Sequence, residues 1–138
     1  MDLIAESRKI AVIAHDGQFR TMGADKGLPY IVHPDRVAAR FKDKPVLAAI
    51  GQLHDVIEDS TMTAEGLQEM GIPGCVVEAV VALSKIPGEN YLDFILRVMR
   101  NPLARQVKIA DIEDNLEGLD DGSRKDKYRL ALHVLKNG

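Results

Sequence analysis

The segment 53–60, LHDVIEDS, sets one histidine and three carboxylates within six residues: His54, Asp55, Glu58 and Asp59. On a helix, residues four apart lie one above the other, while neighbours diverge by about 100°. A helix here would stack His54 with Glu58 and Asp55 with Asp59. Leu53, Val56 and Ile57 around them are apolar, and buried charge is costly unless it is paired or bound to a metal. The competing reading is a solvated acidic face carrying one histidine. Two further residues favour metal chemistry. His33 stands just before Pro34, where a loop enters a helix, and Asp111 follows the apolar Val107, Ile109 and Ala110 in VKIADIEDNL. His33, His54, Asp55 and Asp111 would supply two imidazoles and two carboxylates. Such a set suits Mn²⁺, Fe²⁺ or Zn²⁺ and lacks the thiolates of structural zinc. Four protein ligands on an ion that accepts five or six leave room for water and substrate, and the ion would bring the pKa of that water toward neutrality.

The elements that must bring these residues together read as helices. Apolar positions Leu3, Ile4, Ile10, Ile13 and Ala14 share a face, with Asp2 as N-cap. From Gln18 to Pro34 the chain reads as loop, punctuated by Gly23, Gly27 and Pro29. Pro34 and Pro45 can each open a helix in its first turn, the first through about Phe41 and the second on through VLAAIGQLHDVIED. A short helix follows Thr63. CVVEAVVALSK is ambiguous: its valines favour strand, its length and neighbours a buried helix. Helices then follow over Tyr91–Met99, after Asn101-Pro102, and from a Ser123 cap through Leu135. No strand alternation persists and no repeat is found. The expected fold is all-α, a single-domain bundle of about seven or eight helices over residues 1–138.

Composition narrows the function classes. The 138 residues suit one domain with its own core. A net charge of −3 without a polybasic arm, and 4% aromatics with no Trp, argue against nucleic-acid binding. No run reaches the ~20 apolar residues of a membrane span. The N-terminus does not read as a signal peptide, so a cytoplasmic location is expected. Cys75, the lone cysteine, sits in an apolar run and reads as a buried, inert thiol. His15 is expected to pack or hydrogen-bond near the site entrance, and His133 to be structural.

His33-Pro34, then His54-Asp55 with Glu58-Asp59, then Asp111 is a pattern similar to the HD-domain metal-dependent phosphohydrolases. AHDGQFR with GLPYIVHPDRVA (14–39), QLHDVIEDS (52–60) and VKIADIEDNL (107–116) resemble, more narrowly, the hydrolase domain of the RelA/SpoT-type alarmone enzymes and their small stand-alone relatives. SRKDKYRLALHVL (123–135) is a weaker fourth stretch. The resemblance implies metal ligands at His33, His54, Asp55 and Asp111. It implies that Glu58 and Asp59 position or deprotonate the attacking water and assist the leaving group. Asn115 would contact the ribose or orient the site. Arg20, Arg124 and Tyr128 would contact phosphates or base, and Lys85 and Lys108 phosphates. Relatives usually carry a lysine after the loop arginine, where this chain has Thr21. The loop from Arg20 to Pro29 is also longer than usual, and Lys26 within it could replace the missing charge.

The activity so implied is metal-dependent hydrolysis, with Mn²⁺ first among the ions, of the 3′-diphosphate of guanosine tetra- or pentaphosphate. The products would be GDP or GTP and pyrophosphate. A synthetase half would not fit in this length. The alternatives are the same chemistry on another small phosphorylated nucleotide, such as a nucleoside monophosphate or a 2′-phosphorylated dinucleotide cofactor, and a non-catalytic nucleotide-sensing module. The expected partner is a small nucleotide, with no nucleic acid and no membrane. Self-association, as a homo-oligomer, is left open.

Overall fold

In a computed structural model describing residues 1–138, α3 (Pro45–Leu53) forms the centre of the molecule. Every residue from Leu47 to Leu53 is buried. Around it pack α1 (Leu3–Ala14), α2 (Val32–Ala39), α6 (Gly74–Ala82) and α8 (Pro102–Leu116). The short α4 (Val56–Asp59) and α5 (Ala64–Glu69) follow α3 in the chain, and α7 (Tyr91–Met99) and α9 (Ser123–Asn137) pack on α8 and on each other. There is no strand; an isolated bridge from Phe19 to Pro29 ties the two arms of the first long loop. The fold is therefore all-α, with nine helical segments, or eight if α3 and α4 are taken as one interrupted helix.

Local signals explain most helix starts. The Asp2 carboxylate accepts from the Ala5 N–H, the Thr63 hydroxyl from Gly66 and the Asn90 side chain from Asp93. Asn101 takes both the Leu103 and Ala104 N–H groups, with Pro102 opening α8. Such caps contribute about 1 kcal/mol each. Ser123 departs from expectation. It is the first residue inside α9, and Gly122 occupies the cap position without a side-chain bond.

A cluster of 24 buried apolar residues ties the helices together. The ambiguous 75–85 segment lies mostly in α6, because Val76, Val77, Ala79 and Val80 recur at helical spacing and all reach this core. Each fully buried valine or leucine contributes on the order of 1.5–3 kcal/mol. Cys75 corrects the sequence reading, since its thiol is exposed. It stands three residues before Glu78 and shares that residue's solvent face, so apolar neighbours in sequence are not its neighbours in space.

Two backbone details bring the chemistry together. A side chain at Gly51 would place its Cβ 3.0 Å from the Ala38 nitrogen, so glycine is what lets α3 approach α2 so closely. The helix expected to run through Asp59 is also interrupted. Asp55 sits at φ −105°, ψ 0°, between α3 and α4, in the sparsely populated bridge region where active-site residues recur. No helix is long and apolar enough to cross a membrane.

Candidate metal centre and its rim

His33 is the second residue of α2, His54 and Asp55 form the α3–α4 junction, and Asp111 lies in the middle of α8. Three separate elements thus converge: one ligand atom from each of the four residues lies within 4.8 Å of the others. His33 and His54 are fully or almost fully buried and Asp111 is 3% exposed.

The donor chemistry of this cluster fits a cation. His33 Nδ1 donates to Asp114 Oδ2 at 2.6 Å, and His54 Nδ1 donates to the Gly51 carbonyl at 2.6 Å. Because those acceptors cannot donate, each Nδ1 carries a hydrogen and each Nε2 faces inward, where the neutral ring would offer a lone pair to a cation. The two Nε2 atoms face each other at 3.2 Å. Asp111 Oδ1 stands 2.8 Å from one and 3.3 Å from the other, and Asp55 Oδ2 is 3.0 Å from His54 Nε2. Four electron-rich atoms so close repel one another unless positive charge sits among them, as a divalent ion with N/O ligands would. The titration shifts follow the same field. Burial would lower the His54 pKa, but the Asp55 and Asp111 carboxylates raise it well above its usual range. Burial would raise the Asp111 pKa, but Lys108 and His54 hold it far below its usual range.

The ligands are held by a surrounding network, most of it not singled out from the sequence. Tyr30, in the loop before α2, donates its hydroxyl to Asp55 Oδ2. Arg36 grips Asp114 through Nε at 2.7 Å and Nη2 at 3.1 Å. Burial alone would raise the Asp114 carboxyl, but His33 and Arg36 hold it well below the normal range, so it remains an acceptor for His33. Asn115 Nδ2 donates to Asp111 Oδ1 at 3.1 Å, and Lys108 Nζ pairs with Asp111 Oδ2 at 2.8 Å. A helical signal existed for two of these. Asp114 falls one turn after Asp111, and Arg36 one turn after His33. Nothing in the sequence pointed to Asp25, which Arg20 and Arg36 both reach across a loop.

Glu58 and Asp59 differ from each other. The break at Asp55 leaves the Asp59 N–H bonded to the Asp55 carbonyl at 2.9 Å, so this stacked pair persists. Partial desolvation, then the Asp55 and Glu58 charges, push the Asp59 carboxyl up to about 6. Glu58 instead accepts the Lys85 backbone N–H at 2.8 Å, beside a cleft of about 440 Å³ whose walls include Ile57, Ile86 and Pro87. Gln18 links the first loop to this turn: its Nε2 donates to the Asp59 carbonyl, and its Oε1 meets His15 Nδ1 at 2.8 Å. His15 is indeed buried, its ring 4.7 Å from that of Tyr30.

The other sequence candidates divide into two groups. Arg20 is buried, held by Asp25 at 2.8 Å and by Asn115 Oδ1 at 2.8 Å. Lys108 is likewise inside the network. Lys85 and Arg124 are exposed, and the Arg124 guanidinium meets the Met22 sulfur at 3.0 Å rather than a carboxylate. Tyr128 is half-buried. Lys127, which the sequence reading passed over, holds its ammonium 4.4 Å from the Tyr91 ring centroid and 5.8 Å from that of Tyr128. Its pKa is lowered by desolvation and then by the positive charges of Arg124, Lys85 and Lys108. Lys26 is exposed on the loop, and His133 is exposed on α9, where Asn137 bonds it.

No family model matches the chain. Among curated proteins it is 34% identical to a guanosine-3′,5′-bis(diphosphate) 3′-pyrophosphohydrolase of Haemophilus influenzae, over 92% of this chain and 20% of that one. It is 32% identical to the protein of the same description from Aquifex aeolicus, over 80% of this chain and 17% of that one. A GTP pyrophosphokinase of Myxococcus xanthus is 30% identical over 98% and 19%. The chain thus spans about a fifth of the length of these relatives. A solved structure titled as a metazoan ortholog of SpoT that hydrolyses ppGpp superposes with a TM-score of 0.76 at 18% identity, covering 100% of this chain and 87% of that one. This likeness establishes the shared fold.

Proposed function

The chain is an HD-type, RelA/SpoT hydrolase-like domain, and on that premise we propose that it hydrolyses the 3′-diphosphate of guanosine tetra- or pentaphosphate, giving GDP or GTP and pyrophosphate. The observation that carries the reading is the convergence of four ligand atoms from three elements, with the Asp59 carboxyl in their field and exposed cations at the rim. His33, His54, Asp55 and Asp111 would hold one divalent ion, for which we propose Mn²⁺, with Fe²⁺ and Zn²⁺ compatible with the same donors. When bound, the ion would lower the pKa of a water and offset phosphate charge.

The remaining steps belong to the side chains. Water adds to the phosphorus joined to the ribose 3′ oxygen, the P–O3′ bond breaks, and the 3′ oxygen leaves with a proton. Asp59, one turn from the ligand Asp55 and within its field, would take the proton from that water. Glu58 would orient the water or the leaving group. Arg124 and Lys127 make no ion pair with a carboxylate, and with the exposed Lys85 they would suit the second diphosphate of the substrate. Tyr128 would lie against the nucleoside. Arg20, Lys108 and Asn115 would act chiefly by holding Asp111 and its surroundings in place, because their polar atoms already serve one another.

The test is direct. Mn²⁺-loaded protein incubated with guanosine 3′,5′-bis(diphosphate) should release pyrophosphate and GDP. Metal shown to be bound, without product across several pH values, overturns this substrate, and a panel of other phosphorylated nucleotides then identifies the replacement.

A further inference from the structure

We propose that Asp25, from the long loop between Arg20 and Pro29, is a positioning residue that locks two of the metal-ligating side chains into one arrangement. This rests on the reading of His33, His54, Asp55 and Asp111 as a metal centre. The Asp25 side chain is 8% exposed, and its Oδ2 atom receives two guanidinium groups: Arg20 Nε at 2.8 Å and Arg36 Nη2 at 2.7 Å. Each arginine begins a relay to a different ligand. Arg36 holds both oxygens of Asp114, and Asp114 Oδ2 takes the Nδ1 proton of His33. Arg20 Nη2 donates to Asn115 Oδ1, and Asn115 Nδ2 donates to Asp111 Oδ1. One carboxylate oxygen therefore anchors the imidazole on α2 and the carboxylate on α8.

The loop is built to keep Asp25 there. The Ala24 N–H donates to the Glu117 carbonyl at 3.1 Å, just past the end of α8. A Cβ at Gly23 would come within 2.8 Å of that same carbonyl oxygen, and one at Gly118 within 2.8 Å of Ala24. Both glycines have positive φ, at 76° and 66°, so backbone lies directly on backbone without side chains between. Burial alone would raise the Asp25 carboxyl, but hydrogen bonds from Arg36 and Arg20 hold it below its normal range. A buried carboxylate with two guanidinium partners is an expensive feature for a surface loop, and its fixed charge orients both arginines. Outer partners that fix the tautomer and direction of a ligating histidine govern metal affinity in this way.

The experiment measures Mn²⁺ affinity of the metal-free, full-length protein by calorimetry and records ¹⁵N spectra of its histidine rings. Asp25→Ala should weaken Mn²⁺ binding about tenfold, the lower end of what loss of an outer-shell partner costs. It should also shift or broaden the His33 Nδ1 signal while leaving that of the exposed His133 in place. Asp25→Asn keeps the shape and one acceptor but not the charge, and should show the same changes in smaller degree; it decides the matter if the alanine variant does not fold. Lys26→Ala, next door and exposed, should change neither reading. Unchanged affinity and an unchanged His33 signal in a folded Asp25 variant overturn the proposal, as does a wild-type protein that binds no Mn²⁺. Pyrophosphate release by the wild type is scored separately. Release with unaltered metal binding in the variants removes only the role of Asp25, whereas loosened metal binding without release removes only the substrate.

Discussion

The interior of the site and its rim treat charge in opposite ways. Inside, nearly every polar atom has a partner: His33 with Asp114, His54 with Gly51, Asp111 with Lys108 and Asn115, Asp55 with Tyr30. What is left over is a convergent set of ligand atoms that hold together only around a proton or a cation. At the rim, Lys85, Arg124 and Lys127 are exposed and the charges of Arg124 and Lys85 act on Lys127, while Lys127 lies by the Tyr91 ring and Arg124 by the Met22 sulfur in place of carboxylates. The interior is short of positive charge, and the rim has an excess of it. A divalent ion answers the first imbalance and an anionic substrate the second. Under the proposed function, this local arrangement, rather than the net charge of −3, would decide how the chain meets a nucleotide with several phosphates.

The comparison can be broken at its strongest point by removing a ligand. Asp55→Ala should abolish metal binding and turnover together, a loss exceeding the ~100-fold upper range for outer-shell partners. Calorimetry and a pyrophosphate assay on the same sample check it; turnover that survives without bound metal would reassign the interior. The rim should respond differently. Lys127→Ala should raise KM by roughly tenfold, the equivalent of one charge-assisted hydrogen bond of modest strength, and leave kcat and Mn²⁺ affinity unchanged. A fall in kcat without change in KM would place Lys127 in the chemistry instead.

The smallest effect lies at the boundary between the two regions. Asp59 has its carboxyl raised to about 6 from an ordinary value near 3.8, so in the metal-free protein the fold favours its protonated form. The stability linked to it is fully present below the ordinary value and is lost as pH rises through about 6. Asp59→Asn should therefore gain stability over the wild type as pH climbs from 4 to 6 and hold that gain above it. The group is solvent-accessible, so the gain is small. Denaturant midpoints of both proteins across this range read it directly, and parallel curves would show that Asp59 does not sense the Asp55 and Glu58 charges.

Much of this molecule was legible one turn at a time. Asp2, Thr63 and Asn101 announce helix starts because a cap acts on N–H groups two or three residues away. Apolar spacing located the buried face of α7 at Ile95 and Val98. On α1, only Ile10 of the expected face is buried: Ile13 is 76% exposed, and Ser7 and Ala11 turn inward, because α3 meets a neighbouring stripe of that helix. Cys75 and the helix expected across 54–59 show where this fails. Exposure of Cys75 depends on which face of α6 meets α3, and the interruption at Asp55 depends on what surrounds that backbone. The residue types at His33, His54, Asp55 and Asp111 stood out by their chemistry and by resemblance, and the fold places the four side chains together.

From sequence alone came an all-helical chain, the residues whose chemistry suits a metal, and the class of reaction they resemble. Periodicity, caps and ligand types are local properties, so a linear reading reaches them. Tertiary structure decided the rest: the close approach of α2 to α3 at Gly51, the turning of both Nε2 lone pairs inward, and the reach of Asp25 to two arginines. Apart from the local bonds of His54 to Gly51 and Arg20 to Asp25, these depend on contacts between elements, such as His33 with Asp114, 81 positions apart. No helical or strand period connects such pairs; only the packing of the core brings them within hydrogen-bond range.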